Sequence, residues 1–325
     1  MLEKLEKHQI KIYLLCFGVG LALGLISTNQ TSPLEKLLEP AIAVLLYTMF
    51  CQIPFKQLLD GFQQKRFLLA LMTVNFILIP LFIAGASRFL PDSESIRFGI
   101  YLVLLTPCVD YVIFFTKAGR GDEKLMLAST PLLLLAQILL LPFYLWWFMG
   151  KDMVDLIDIK PFIASFLWLI LIPLALAILS EWCAKKSKIG KSYLNFTARL
   201  PVPMMGAVLF LVAQSEINRA YSHGWTIIGL IPLYFFYMIV AGMLGWMAGR
   251  VFKLRVKQAR TVCFSAATRN SLVVLPLALS LADETKASIA AAVIVTQTMT
   301  ELLGELVYIK AIPILISGSA NPHHD

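Results

Sequence analysis

Apolar runs of about 20 residues, the length a helix needs to cross a hydrocarbon layer of about 30 Å, recur from one end of this chain to the other, joined by short polar connections. Inside a bilayer no water is available to bond an open backbone, so such runs can only become helices that satisfy their own N–H and C=O groups. Charge agrees with this. Of 325 residues only 15% are charged and 58% are hydrophobic, with a mean hydropathy of +0.77, whereas a soluble domain carries roughly a quarter charged. The sequence predicts an all-α polytopic membrane protein with ten transmembrane helices. They fall near 10–27, 40–58, 67–88, 97–118, 123–149, 161–182, 201–217, 225–249, 259–282 and 287–317. The first run is too long for a signal peptide and is read as a retained helix.

Most runs contain a proline: Pro80, Pro107, Pro131, Pro142, Pro173, Pro232, Pro276 and Pro313. Membrane helices accept proline where neighbours can satisfy the carbonyls it frees, and this density predicts broken helices. Orientation follows from the basic residues. Nineteen Lys and Arg lie in one set of alternate connections, from Lys4 to Arg260, and seven in the other, at Lys36, Arg88, Arg97, Lys151, Lys160, Arg219 and Lys286. The positive-inside rule then places both termini in the cytoplasm, in a multi-pass protein of the inner cell membrane. The net charge of +8 bears on topology and not on nucleic acid, because no soluble domain exists to present it. Ten spans divide into two halves of five, 10–149 and 161–317. An odd number per half inverts one half against the other, forming a single transporter domain whose binding site lies at the midplane between discontinuous helices.

The fourth span of each half breaks its apolar pattern at its centre: "TPCVDY" in span four and "SAATRNSLVVLP" in span nine. Asp110 and Arg269 are the charged residues near the centres of these spans, and each is costly enough in hydrocarbon to require a partner. They are expected to pair, as a substrate or proton site or, structurally, as an ion pair fixing how the helices cross. Cys108 is either a small apolar filler or a thiolate ligand for a soft species. Thr106, Tyr111, Ser265, Thr268, Asn270 and Ser271 supply hydrogen-bonding groups around the breaks. The hydroxyls among them could equally bond back to their own helices. Span ten adds Gln297 and the intramembrane Glu301, with Glu305 and Lys310 nearer the cytoplasmic interface. Asn75 and Gln137 read as interhelical hydrogen-bonding residues. Cys16, Cys51, Cys108, Cys183 and Cys263 are scattered without metal-ligand spacing. The two histidines of the tail "SGSANPHHD" read as a disordered end. No nucleotide, protease or hydrolase motif occurs, so no cofactor and no enzymatic activity are expected.

Four stretches, "NFILIP" (Asn75–Pro80), "FLPDSESIRFGIYLVLLTPC" (Phe89–Cys108), "KAGRGD" (Lys117–Asp122) and "FSAATRN" (Phe264–Asn270), resemble the arsenite efflux permeases of the bile acid/arsenite/riboflavin transporter superfamily. The resemblance implies a core domain and a smaller panel domain, with spans four and nine unwound where they cross. It places Cys108 at the position of the metalloid-linked cysteine. The permeases have a carboxylate in span nine where this chain reads "RNSLVV". The sodium-coupled branch has a Ser-Asn pair where Val112 and Ile113 stand, and a Glu and a Gln where Ser265 and Arg269 stand. Asn270 is kept. These departures imply a divergent subgroup with dismantled sodium sites. The resemblance implies export of arsenite or a related metalloid, and the midplane carboxylate Asp110 suggests protons as the coupling ion. The alternative is a carrier of a small organic anion held by Arg269.

Overall fold

The computed structural model describes residues 2–26, 33–51, 63–150, 164, 166–222, 224, 227, 229–279, 281 and 283–317, and among these every regular element is helical. The connections with Lys56, Lys151 and Lys160, and the tail from 318, lie outside the described residues. In chain order the elements are α1 (Leu2–Ile26), α2 (Leu38–Phe50), α3 (Lys65–Phe89), α4 (Glu94–Leu104), α5 (Val112–Ala118) and α6 (Glu123–Met149). They continue with α7 (Ile172–Lys186), α8 (Lys188–Thr197), α9 (Pro201–Ser222), α10 (Ile231–Val251), α11 (Val256–Ala267), α12 (Ser271–Leu279) and α13 (Glu284–Leu315).

Five of these segments are long and apolar enough to cross a membrane: α3, α6, Leu167–Lys186, α10 and α13. A sixth is added if Lys188–Thr197 and Pro201–Ser215, bent by 43°, form one span. The expected fourth and ninth spans are each split, into α4 and α5 and into α11 and α12. The amphipathic helix α8 lies where the sequence reading placed only a basic connection. Its lysines, Lys188 and Lys191, face outward while Thr197 is buried.

Proline sets where helices deform. Within α3 a π-helical turn at Val74–Leu78 immediately precedes Pro80, and a second, Phe166–Leu171, precedes Pro173. Pro80 has no N–H to give the carbonyl of Phe76, four residues back, and its ring crowds that turn. The widened turn relieves the crowding, and the hydroxyl of Tyr144 donates to the Phe76 carbonyl at 2.5 Å. A side chain from α6 thus replaces the missing backbone donor, as burial in hydrocarbon requires.

Helix α1 packs on α9, α9 and α7 on α2, and α10 on α11. The long α13 lies against α4, α9, α10 and α12. About 83% of its apolar window is buried, against 24% for the α7 region. The central position of α13 puts its polar residues at the helix breaks.

Candidate functional site

The two breaks meet. Residues 105–111 and 268–270 leave the helical path and run antiparallel, with Pro107 opposite Arg269. The Cys108 N–H donates to the Thr268 carbonyl at 3.2 Å, and the Asn270 N–H donates to the Thr106 carbonyl at 2.9 Å. Had the helices continued, the Cys108 N–H would have bonded the Leu104 carbonyl, and the Arg269 and Asn270 N–H groups those of Ser265 and Ala266. The break therefore leaves three carbonyls, at the C-terminal ends of α4 and α11, without their helical partners.

Arg269 supplies them. Its side chain is fully buried, and its guanidinium donates to the Leu104 carbonyl at 3.3 Å, the Ser265 carbonyl at 3.0 Å, the Ala266 carbonyl, and Asn75 Oδ1 at 2.9 Å. Tyr237 donates its hydroxyl to the Ala266 carbonyl at 2.9 Å, and its ring lies 5.6 Å from the guanidinium carbon. Helix C-termini carry partial negative charge. Two of them converge here on one fixed cation, in the arrangement by which broken helices hold inorganic cations.

The expected ion pair between Asp110 and Arg269 does not form. The Asp110 carboxylate accepts from its neighbour's N–H (Tyr111, 2.6 Å) and from the Cys108 thiol (2.9 Å). The guanidinium is turned instead into the carbonyls, which unwinding leaves with the greater need of donors. The carboxylate that joins the two breaks is Glu301 of α13. It accepts from the Tyr111 hydroxyl at 2.9 Å, the Arg269 backbone N–H at 2.7 Å and Gln297 Nε2 at 2.6 Å. Tyr111 also reaches the Arg269 carbonyl at 3.3 Å. Helix α13 thus ties the break between α4 and α5 to the break between α11 and α12.

The remaining predicted residues separate into two groups. Thr106 and Thr268 bond back to their own helices, at Leu102 (2.7 Å) and Phe264 (2.6 Å), so they close helix ends. Ser265 accepts from Asn75 Nδ2 at 3.0 Å. The amide of Asn270 and the hydroxyl of Ser271 are buried without a hydrogen-bond partner, as is Oε1 of Gln297. Buried polar atoms are rarely left so; Asn270 and Ser271 stand at the second break, and Gln297 lies one turn before Glu301 on α13. Asn75 bridges helices as expected, reaching Ser265 and the Arg269 guanidinium, and Tyr237, not singled out in the sequence, packs beside them. The signal for Asn75 was its place five residues before a proline in an otherwise apolar run. Gln137, expected to bridge helices, is buried with neither amide atom bonded. Glu305, expected near the interface, is fully buried, while Lys310 is exposed.

The "KAGRGD" turn holds the two broken spans together at the opposite end from the α4 entry. Arg120 takes a left-handed conformation (φ 57°) between Gly119 and Gly121. A Cβ at Gly119 would enter the ring of Phe264. The Asp122 N–H donates to Thr261 Oγ1 at 2.7 Å, Arg260 donates to the Arg120 carbonyl at 3.1 Å, and the Asp122 carboxylate caps α6 through the Leu125 N–H. Among the described residues no group of three or more His, Cys, Asp or Glu could hold a metal ion.

Residues 39–223 match the sequence profile of the Sodium Bile acid symporter family. That is more than half of the chain, and it takes in the first break with Cys108 and Asp110. No individual curated protein matches the chain. Multiple apolar spans, helices broken at a shared depth and the family profile agree: this is a multi-pass membrane protein, and it belongs to the Sodium Bile acid symporter family, whose members are transporters and not enzymes.

Proposed function

We propose that the protein is a secondary active transporter that exports arsenite or a related small metalloid across the cytoplasmic membrane, independently of sodium and coupled to protons. The observation that carries this reading is the Cys108 thiol. It lies in the unwound segment, fully buried, with its hydrogen directed at the Asp110 carboxylate 2.9 Å away. Sulfur is a natural ligand for a soft, thiophilic centre. The unpartnered Asn270, Ser271 and Gln297 atoms would then meet the hydroxyl groups of such a species. Sodium independence rests on Arg269, whose guanidinium fills the oxygen-lined space at two helix C-termini that an inorganic cation would otherwise occupy.

The proposed architecture is two inverted repeats, 10–149 and 161–317, built of ten spans in a core and a panel domain with both termini cytoplasmic. Its support is the antiparallel meeting of one broken helix from each half and the basic bias of alternate connections. The organic-anion reading is disfavoured, because Arg269 is fully buried and its amino groups are already bonded to four protein oxygens.

The test is resistance in a metalloid-sensitive bacterial host. Cys108→Ser is expected to abolish it at unchanged expression, since a hydroxyl is a poor ligand for a soft centre. Changes at Cys16, Cys51, Cys183 or Cys263 are expected to leave it intact. Full resistance from Cys108→Ser would remove the thiol from the mechanism. In proteoliposomes, replacing sodium by potassium at fixed pH is expected to leave flux unchanged.

A further inference from the structure

Helix α13 carries two fully buried carboxyl groups one turn apart, Glu301 and Glu305. Their surroundings are opposite. Glu301 accepts three hydrogen bonds, from Tyr111, Arg269 and Gln297. Neither oxygen of Glu305 has any hydrogen-bond partner.

The groups near Glu305 explain why. Tyr308, one turn further along α13, gives its hydroxyl hydrogen to the Met238 carbonyl. Cys263 on α11 directs its thiol at the Gly242 carbonyl, 3.4 Å away, and Tyr237 on α10 donates to Ala266. These three proton donors are committed elsewhere. Among the described residues no cation donates a hydrogen bond to either Glu305 oxygen. The charged residues of α4, Glu94 and Arg97, lie at its outer end, where Glu94 meets Lys286 at 2.7 Å. That end of α13 is about 28 Å up the helix from Glu305 at 1.5 Å per residue. Helix α12 carries no charged residue. An ionised carboxylate fully buried without a protein partner, with a second carboxylate a turn away, is disfavoured in a low-dielectric interior. A neutral carboxyl group is not.

We propose that Glu305 is a proton-binding site of this transporter, holding a proton in the state seen here and exchanging it with Glu301. The inference deepens the proton-coupled reading above and names where its coupling ion resides. Four residues of α13 separate the two groups by about 6 Å along the axis, within reach of a rotamer change or one entering water. In the transfer the Glu305 O–H bond breaks, a new O–H bond forms on a Glu301 oxygen, and the negative charge passes to Glu305. A protonated Glu301 has lost the charge that strengthens its three bonds, and one oxygen becomes a donor. Those bonds join Tyr111 of the first break to the Arg269 backbone of the second, so the proton's position sets how firmly the crossing is closed.

The test is infrared spectroscopy of the purified full-length protein in lipid nanodiscs at neutral pH, reading the C=O stretch of a protonated carboxyl group. The expected result is a band in wild type that is absent from Glu305→Gln and retained in Glu301→Gln and Asp110→Asn. No difference between wild type and Glu305→Gln would overturn the proposal. So would a Glu305→Gln protein that fails to fold, because exchanging a neutral acid for a neutral amide of the same shape removes no charge. The band requires no substrate. Its presence without metalloid resistance would count against the substrate alone, and its absence with resistance intact against the proton site alone.

Discussion

Replacing Arg269 by methionine removes the cation while keeping an unbranched side chain of comparable length. The guanidinium bonds four oxygens, of which the Ala266 carbonyl keeps a second donor in Tyr237. Three acceptors are left bare: the Leu104 and Ser265 carbonyls and Asn75 Oδ1. A buried polar group stripped of its partner costs about 1–3 kcal/mol, so the lower bound of the loss is about 3 kcal/mol. Glu301 contributes nothing to this loss, because it contacts the Arg269 backbone N–H, which methionine retains. At about 2 °C per kcal/mol for a chain of this size, the melting temperature should fall by about 6 °C or more. The assay is thermal unfolding of the purified protein followed by tryptophan fluorescence. Arg269→Lys should fall between the two, because one ammonium cannot span acceptors at the ends of two helices. Sodium should leave the wild-type melting temperature unchanged relative to potassium or choline. A methionine variant melting within about 2 °C of wild type, equivalent to roughly 1 kcal/mol, would refute the claim that the freed carbonyls depend on this cation.

The Tyr144 hydroxyl stands in for the N–H that Pro80 lacks, so Tyr144→Phe should cost about 1–3 kcal/mol in wild type and less in a Pro80→Ala background. Equal costs in both backgrounds, measured by a thermal-melt mutant cycle, would refute the substitution. Asp110 and Arg269 have separate partners, so the double variant Asp110→Asn, Arg269→Gln should be no more stable than the worse single variant. Recovery in the double variant would restore the direct ion pair. Reporters fused after Lys191 and Lys257 should read cytoplasm, and those after Lys151 or Arg219 the outside, on the basic bias of alternate connections. Fusions at Lys191 and Lys151 reporting one side would refute the inverted arrangement.

What the sequence by itself determined here is what hydrocarbon forbids. Long apolar runs had to be helices, since any other path strands backbone groups without partners. Proline, Asp110 and Arg269 at the centres of two runs marked where those helices break, because only a break or a partner makes them tolerable there. Glu123–Met149 matched the span read from the sequence at both ends, since Asp122 caps its start and Gly150 ends it in a conformation suited to glycine. Tertiary structure alone decided who met whom. A charge in a run announces that it needs a partner, and does not say which oxygens will be nearest once two helices unwind. Arg269 turned to the carbonyls of Leu104, Ser265 and Ala266 because unwinding stripped those groups of their own donors, a demand that exists only after the two segments are side by side. Glu305 lies toward the C-terminal end of its run and read as interfacial. Its burial comes from α13 being enclosed by several neighbouring helices, which no periodicity within one helix records.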